Sequence, residues 1–410
     1  MKFNQWTVAL AALGVVSFAS AAKAEEQVNS VLTAVSSTTL SGYVDTSAQW
    51  NFGTGDANLP PYKFGGPTKA DGFNLNVVQV RIEKGLDESQ WSAGYRADLW
   101  AGPDANVLGT SSLFGNSSVA NPGDFAIRQA YVTLRMPVGN GLDWKMGVFD
   151  SILGYESVES PNNPNFTRSW GHGIEPQTHT GLLASYRFSE IFSVSGGVAN
   201  TYSPNINDRP FEPVQTVNSQ AESYKSYMGS LALTAPESAG FLAGSTLYGG
   251  AVNGFSASYA GNLTSYYAGA TIATPVTGLR LGAAFDLLNV HDVSGETWAV
   301  AGYASLQASE KLSFHFRADY LRDRGDQKFY VAFDPNADAF YATNPDKLMT
   351  LTATVQYDLW KNVVSRLEFR WDHSLTGDGL YGGTVPNSAT VQDGNEINAC
   401  VLIANLVYRF

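Results

Sequence analysis

Residues 40–52 read LSGYVDTSAQWNF, and two kinds of side chain alternate along all 13 positions. Leu40, Val44 and Trp50 fall on one face of an extended strand, and Asp45 and Gln49 fall on the other. Strands of soluble proteins usually have about 3–10 residues, whereas a tilted strand that crosses a membrane needs roughly 9–11. The length and the period of this stretch therefore predict a strand in the wall of a transmembrane β-barrel.

The same alternation recurs along the chain and predicts an all-β fold, a transmembrane antiparallel up-and-down β-barrel of about sixteen strands. Long connections alternate with short ones, which is typical of barrels with long outer loops and short periplasmic turns. The pattern is weakest between residues 240 and 300, so fourteen or eighteen strands remain open. The predicted strands are 39–52, 73–84, 90–100, 125–136, 142–149, 179–188, 191–201, 222–234, 241–252, 262–273, 279–289, 296–306, 311–322, 347–358, 363–372 and 396–410.

The last predicted strand ends on an aromatic residue. In CVLIANLVYRF, residues 400–410, Tyr408 and Phe410 share the apolar face, while Arg409 takes the other face. A terminal amphipathic strand that ends in Phe resembles the sorting signal of bacterial outer-membrane proteins. Aromatic residues near strand ends also predict girdles at the two membrane interfaces: Trp50, Phe52, Trp100, Trp144, Tyr186, Phe188, Tyr357, Trp360 and Trp371.

The start of the chain is typical of a secretory signal. Lys2 precedes an apolar stretch over residues 6–18, and Ala22-Lys23-Ala24 has the small-x-small pattern of a cleavage site. A membrane anchor is the alternative, but the apolar stretch is shorter than the ~20 residues of a spanning helix. We expect residues 1–24 to be a signal peptide, 25–38 a periplasmic lead-in, and 39–410 one barrel domain with both termini in the periplasm.

Charge and cysteine content exclude other classes of protein. The chain has 25 basic and 37 acidic residues, a net charge of −12, so it lacks the basic surface that nucleic acid requires. Cys400 is the single cysteine, so no disulfide can form within the chain. The sequence contains no phosphate-binding loop and no dinucleotide-binding motif, and it predicts no cofactor.

Four stretches carry a resemblance to a known family. They are SGYVDTS at 41–47, GYE at 154–156, NNPNFTRS at 162–169 and IEPQTHTG at 174–181. In this order they resemble the OmpL-like β-barrel porins of Gram-negative bacteria over nearly the whole mature chain. The resemblance implies a porin-type channel in the outer membrane, no enzyme and no cofactor, and it does not supply a solute.

The third long connection, residues 150–178, holds the predicted constriction. Its position is similar to that of the third loop of general porins, which folds into the barrel. Acids on such a loop, facing arginines on the wall, would tune ion selectivity. The candidates in the loop are Glu156, Glu159, Arg168, His172 and Glu175.

Charged residues whose phase points inward are the candidates for the pore lining, although pairing inside a wet lumen is the alternative for each. They carry both signs, without the basic excess that a phosphate channel needs. The candidates are Arg81, Arg96, Arg128, Arg135, Arg187, Arg317, Arg366, Arg370, Asp98, Asp319 and Glu368, and Asp45, Glu83, Lys145, Asp286 and Asp372 share the inward phase.

Other binding and catalytic motifs are weak. Tyr43, Tyr131 and Tyr303 are candidates to stack on sugars, with hydrogen-bonded fillers as the alternative. None of the five histidines accompanies a G-x-S-x-G serine. Residues 334–338 copy only the first half of a calcium loop.

The leading hypothesis is an outer-membrane porin for passive diffusion of small hydrophilic solutes and ions. A structural or adhesive barrel with a plugged lumen is the alternative, followed by a barrel-borne hydrolase. The expected partners are outer-membrane lipid and lipopolysaccharide, the barrel-assembly machinery, the solutes themselves and, by analogy with general porins, two further copies in a homotrimer.

Overall fold

A computed structural model of the chain describes most of residues 37–410. The predicted signal peptide, nearly all of the predicted lead-in and the half calcium motif lie outside the described residues. The described ranges are 37–53, 58–60, 62–65, 69–87, 89, 91–110, 124–210, 224–256, 261–291, 295–325, 347–377, 379–383 and 394–410.

Sixteen described strands form one closed barrel, in which each strand pairs antiparallel with its neighbours in sequence and β1 pairs with β16. The prediction of sixteen strands is therefore confirmed. The strands are β1 Thr39–Phe52, β2 Gly72–Lys84, β3 Ser92–Ala101, β4 Phe125–Met136, β5 Leu142–Asp150, β6 Thr178–Arg187, β7 Phe192–Ala199, β8 Ser226–Thr234, β9 Thr246–Ser256, β10 Gly261–Ala273, β11 Leu279–Val290, β12 Gly295–Gln307, β13 Leu312–Gly325, β14 Lys347–Trp360, β15 Val363–Ser374 and β16 Asn398–Arg409.

The largest difference from the predicted bounds is at β9, which begins at Thr246 and not at residue 241. A 3₁₀ turn over Glu237–Leu242 takes up the preceding residues. Gly240 within it has φ +63°, a left-handed conformation that no strand contains. The connection between β8 and β9 is therefore longer than predicted.

Closure of the barrel depends on the two ends of the chain. Tyr43 of β1 lies opposite Arg409 of β16, and the amides of Gly42 and Phe410 each donate to the other's carbonyl at 2.9 Å. Tyr408 and Phe410 face outward and are about half exposed. Because closure pairs the edge strands, the hydrogen-bonding groups of both edges are satisfied within the sheet. The start of β1 and the end of β16 lie at the end of the barrel that carries the short turns, here called the short-turn end.

The outer surface is apolar, as a wall in contact with lipid requires. Phe73, Val132 and Phe316 are outward-facing and 91%, 52% and 45% exposed. Trp100, which the sequence placed in an aromatic girdle, instead lies inside and is 1% exposed. Its indole N–H donates to Gln79 Oε1 at 2.7 Å, so the inner wall satisfies its polar atom.

Two β-bulges change which residues face inward. Asn76 is an extra residue between the pairs of β1 with β2, and Arg128 is an extra residue between the pairs of β3 with β4. Because each bulge shifts the alternation by one position, Arg128 and Gln129 are both buried on the inner side although they are consecutive. A strict period of two cannot place Arg128 and Arg135 on the same face, and the bulge resolves this conflict.

The alternation of polar and apolar side chains predicts a polar interior for such a barrel, but part of the inner face is apolar. Here the buried side chains belong to one apolar cluster that also contains residues of the third long connection. The wall members from β8 to β14 include Met228, Val252, Leu263, Leu288, Leu321 and Leu348. Within the described residues, no helix is long and apolar enough to span a membrane.

The two faces of β4 provide a test of this orientation. Val132 faces outward, whereas the adjacent Thr133 lines a cavity inside the barrel. We expect Val132→Arg to destabilise the barrel by roughly 2–4 kcal/mol, because its charge would enter the hydrocarbon, and Thr133→Arg to have a much smaller effect. Denaturant unfolding of the protein refolded into lipid vesicles measures both values. Equal losses for the two variants would contradict the assigned faces.

Candidate functional site

The third long connection, residues 151–177 and here called loop 3, lies inside the barrel. Ile152, Leu153, Trp170 and Ile174 are buried in the apolar cluster of the inner wall. The loop contains one short helix, α1 (Trp170–Ile174), which packs against β11, β12 and β13. The third long connection therefore lies in the lumen, where the sequence predicted it.

Glycine and arginine determine the path of loop 3. Gly154 has φ +114°, a left-handed conformation that favours glycine, and the Glu175 carboxylate occupies the space that a side chain there would need. Arg168 donates to three carbonyl oxygens of the loop itself, those of Ser157 at 3.0 Å, Phe166 at 2.6 Å and Val158 at 2.8 Å. Arg168 thus folds the loop upon itself and does not face a charged group of the wall.

The first attachment of loop 3 to the wall is a buried ion pair. Arg317 of β13 donates to Glu156 Oε1 at 2.9 Å and to Asp319 Oδ2 at 3.0 Å, and its side chain is 0% exposed. The same guanidinium also donates to the Thr167 carbonyl at 2.6 Å and to the Arg168 carbonyl at 3.2 Å. The bonds to Glu156, Thr167 and Arg168 hold the loop against β13, and charge-assisted bonds of this kind are about twice as strong as neutral ones.

The second attachment lies on β15. The Glu368 carboxylate accepts from the amides of Phe166 at 2.5 Å and Thr167 at 2.9 Å. Arg366 donates to the carbonyls of Ser160 at 3.2 Å and Asn163 at 3.0 Å. Side chains of both signs therefore satisfy the backbone of the loop, which strand pairing cannot do here.

A third attachment also involves a residue of the first long connection, at the end of the barrel opposite the short-turn end. The guanidinium of Arg370 lies 4.2 Å from the ring centroid of Tyr62 and 4.8 Å from that of Trp170 in loop 3. Asp372 holds the same guanidinium at 2.8 Å. Arg370 thereby joins the first long connection to loop 3 by cation–π contacts on two rings.

On the other side of the lumen, loop 3 meets three arginines. Arg81, Arg96 and Arg128, here called the arginine cluster, all pair with Asp98, at 2.8, 2.7 and 3.1 Å. Glu159 of loop 3 also pairs with all three, at 3.3 Å from both Arg96 and Arg128. Loop 3 therefore crosses the lumen, from Glu156 at β13 to Glu159 at β2–β4.

Burial and neighbouring charges shift the pKa of Glu159 in opposite directions. Burial raises the pKa of this carboxyl, but Arg81, Arg128 and Arg96 lower it by more, and the net result is a pKa below its usual value. Glu159 is therefore ionised at neutral pH and balances part of the charge of the arginine cluster.

Three cavities remain between loop 3 and the short-turn end. The first, of about 520 Å³, lies beside β13–β16 and includes Lys311 and Asp358 in its wall. The second, of about 370 Å³ and here called the basic cavity, lies between β1–β5 and loop 3 and is lined by the arginine cluster, Tyr131 and Lys145. The third, of about 290 Å³, lies beside β4–β7 and includes Thr133, Lys145 and Ser185. Space thus remains both beside β13–β16 and along β1–β7, while loop 3 packs against the apolar wall of β8–β14.

The other candidates from the sequence lie apart from the contact between Glu159 and the arginine cluster. Arg135 pairs with Asp143 at 2.7 Å, with both side chains about one-quarter exposed, and Arg187 is exposed beside the turn that contains Ser189. Tyr303 stacks on Tyr155 of loop 3, with ring centroids 4.0 Å apart. A sugar has no access to this face of Tyr303, because the Tyr155 ring covers it.

His172 and Glu175 lie on the side of loop 3 that packs against the wall. Burial lowers the pKa of His172 well below its usual value, and the nearby Arg168 lowers it further, so the imidazole is neutral. Burial raises the pKa of Glu175 well above its usual value, and the neighbouring Asp286 adds to this effect. The imidazole Nδ1 and the Glu175 carboxylate are 3.6 Å apart. Neither residue lines the basic cavity.

Sequence reasoning did not predict that other long connections cover loop 3, nor that part of the inner wall is apolar. In the first two long connections Lys69 forms an ion pair with the buried Asp104, and Tyr62 contacts Arg370. The sequence carries no periodic signal for such contacts, because they join irregular segments. Among the described residues, no three His, Cys, Asp or Glu side chains are grouped to hold a metal ion.

Residues 37–410 match the model of a family described as "Putative beta-barrel porin-2, OmpL-like". This range includes the whole barrel. None of the curated proteins matches the sequence significantly.

Solved structures share the fold at low sequence identity. The outer-membrane channel DcaP of Acinetobacter baumannii has a TM-score of 0.55 at 11% identity, covering 91% of this chain and 97% of that one. An anion-selective porin from Comamonas acidovorans has a TM-score of 0.55 at 12% identity, covering 91% and 99%. The trimer form of OmpT from Vibrio cholerae has a TM-score of 0.53 at 10% identity, covering 91% and 99%. At these identities the likeness extends to the fold alone.

The buried attachment at β13 can be compared with an exposed pair on the same strand. We expect Arg317→Leu to cost about 3–5 kcal/mol in unfolding free energy, because Glu156 would stay buried without its partner. The control is Arg324→Leu, since Arg324 pairs with Glu296 at 3.4 Å and both are about half exposed; its cost should be below about 1 kcal/mol. Denaturant unfolding in vesicles measures both. A similar cost for the two variants would show that loop 3 does not depend on the pair.

Glu175 gives a pH-dependent prediction. Its pKa is higher in the folded protein than in the unfolded chain, so the folded state binds more protons and loses stability as the pH rises above about 4.5. We expect Glu175→Gln to stabilise the barrel at pH 8, because a neutral amide avoids the cost of burying the ionised carboxylate. The gain should shrink toward pH 4.5. Unfolding at both pH values checks this, with Glu310→Gln in an exposed turn as control; a gain that does not depend on pH would refute it.

Proposed function

The chain belongs to the OmpL-like family of β-barrel porins, outer-membrane channels for small solutes, and we propose that it passes small hydrophilic solutes and ions along the β1–β7 side of its lumen. The observation that supports this proposal is the space that loop 3 leaves along β1–β7. The loop attaches to β13 and β15 through Arg317, Glu368 and Arg366 and reaches β2–β4 through Glu159, and the basic cavity and the cavity beside β4–β7 remain open on that side. The short-turn end, which holds the start of β1 and the end of β16, corresponds to the periplasmic side.

The proposed lining of this route is polar and charged. Arg81, Arg96 and Arg128 lie on it at the arginine cluster, and Thr133 and Ser185 lie further toward the periplasm. Water-filled space lined by such side chains favours small polar solutes over apolar ones. The buried candidates Arg317, Arg366, Arg370, Asp319 and Glu368 have a different proposed role, which is to hold loop 3 in place.

A structural or adhesive barrel with a plugged lumen is the second candidate. The observation in its favour is the apolar cluster that joins loop 3 to the inner wall of β8–β14, together with Tyr202, Leu380 and Tyr381 from other long connections. A hydrolase has no comparable support, because three of the five described histidines, His172, His179 and His315, are buried, and His291 and His373 hydrogen-bond to Thr264 and Asn398.

Partners are proposed on less direct grounds. A homotrimer is proposed because the likeness in fold extends to the trimer form of Vibrio cholerae OmpT. Contact with lipid and lipopolysaccharide follows from the apolar outer face, and Tyr408 and Phe410 are the proposed signal for the barrel-assembly machinery.

Conductance in planar lipid bilayers tests the proposed function. We expect stable ohmic steps from the wild-type protein, and smaller steps from Ser185→Trp, because the indole would enter the cavity beside β4–β7. Leu182→Trp is the matched control, since its side chain lies on the other face of β6 and should leave the steps unchanged. Repeated insertion without current would support the plugged barrel and contradict the porin.

A further inference from the structure

The basic cavity has more positive than negative charge in its wall. Its basic side chains are the arginine cluster, Lys145 and Arg409, and its acidic side chains are Asp150 and Glu159. The surplus is local, because the chain as a whole carries a net charge of −12. A positive cavity with low-dielectric walls concentrates small anions.

The arginine cluster does not account for this surplus. Asp98 and Glu159 each pair with all three arginines, and Asp150 pairs with Arg128 at 2.6 Å. Three carboxylates therefore balance three guanidinium groups. An incoming anion would have to displace a short, buried carboxylate to bind the cluster.

Lys145 differs from the arginines in this respect. No carboxylate of the described residues lies within 4.0 Å of its ammonium group, which instead lies 4.8 Å from the ring centroid of Tyr131. The ring holds the ammonium by a cation–π contact without neutralising it. Three N–H donors of the lysine thus remain for a ligand that brings acceptor oxygens.

The position of Lys145 suits a solute in transit. Its side chain is half-buried and lines both the basic cavity and the cavity beside β4–β7. Any anion that passes from one cavity to the other comes near this ammonium group. The volume of about 370 Å³ is within the range of sites for small molecules.

We propose that Lys145, positioned by Tyr131, is the binding residue of a subsite for small organic carboxylates in this channel. The ammonium group of Lys145 matches one carboxylate, and Arg409, the other cation of the cavity that no carboxylate of the described residues pairs, donates instead to the Pro161 carbonyl. Arg96 also lines the cavity, and its positive charge disfavours cations although Asp98 already holds its guanidinium. This inference rests on the proposed route along β1–β7.

The test measures currents of propionate salts through the wild-type barrel and through Lys145→Gln. We expect the wild-type current to saturate with propionate concentration and the half-saturating concentration of Lys145→Gln to be about tenfold higher, the loss expected for a charged hydrogen bond. Lys145→Arg should retain most of the saturation. The control Lys311→Gln, which removes a lysine from the cavity beside β13–β16, should behave like the wild type.

Two results would overturn the subsite. One is equal saturation by propionate in the wild type and in Lys145→Gln, and the other is equally strong, Lys145-dependent saturation by phosphate, which would indicate a general anion site. A wild-type barrel without any current would refute the proposed channel. Calorimetric titration of propionate into the detergent-solubilised barrel then decides the subsite separately, with binding lost in Lys145→Gln as the supporting result and unchanged binding as the opposing one.

Discussion

The charges and backbone polar groups of loop 3 must be paired inside the barrel, and the rest of the structure depends on this pairing. A chain segment that leaves the sheet and enters the lumen brings backbone amides, carbonyls and ionised side chains that water no longer solvates fully. Arg317 against Glu156 at one wall and the arginine cluster against Glu159 at the other supply the opposite charges. Two anchors on opposite walls also fix where the loop runs. Without both, the segment would have no single position in the lumen.

This requirement divides the barrel into two unlike sides. Where loop 3 packs on β8–β14, inward side chains such as Leu263 and Leu288 are apolar, because they meet Ile152 and Ile174 of the loop. Along β1–β7, which loop 3 contacts through Glu159, the wall is polar and open space remains. The barrel interior is therefore a packed core along β8–β14 and a polar, open surface along β1–β7.

The sequence predicted the wall well, because alternation with period two and the spacing of turns are local signals. All sixteen strands lie near their predicted bounds. The interior was harder to predict, since the alternation fades between residues 240 and 300, where apolar side chains such as Leu281 and Leu288 occur on both faces of a strand. The sequence pattern therefore indicates weak strands in this region, although the apolar side chains on the inner face reflect contact with loop 3. The bulge at Arg128 likewise depends on pairing between strands, which a single strand does not show. That Glu159 and not Glu175 pairs with the arginine cluster depends only on the path of loop 3 in three dimensions.

Closure of the sheet also has a consequence for how the chain folds. Asn405 of β16 hydrogen-bonds to Asp45 of β1 across 360 positions of sequence, and the wall partners of loop 3 on β13 and β15 follow the loop by roughly 150 to 200 residues. Contacts this distant in sequence form slowly, because so much chain must be ordered before they contribute. Loop 3 therefore follows its partners on β2–β4 in the chain but precedes those on β13 and β15. The strands that complete the attachment of the loop are thus among the same late strands that close the barrel.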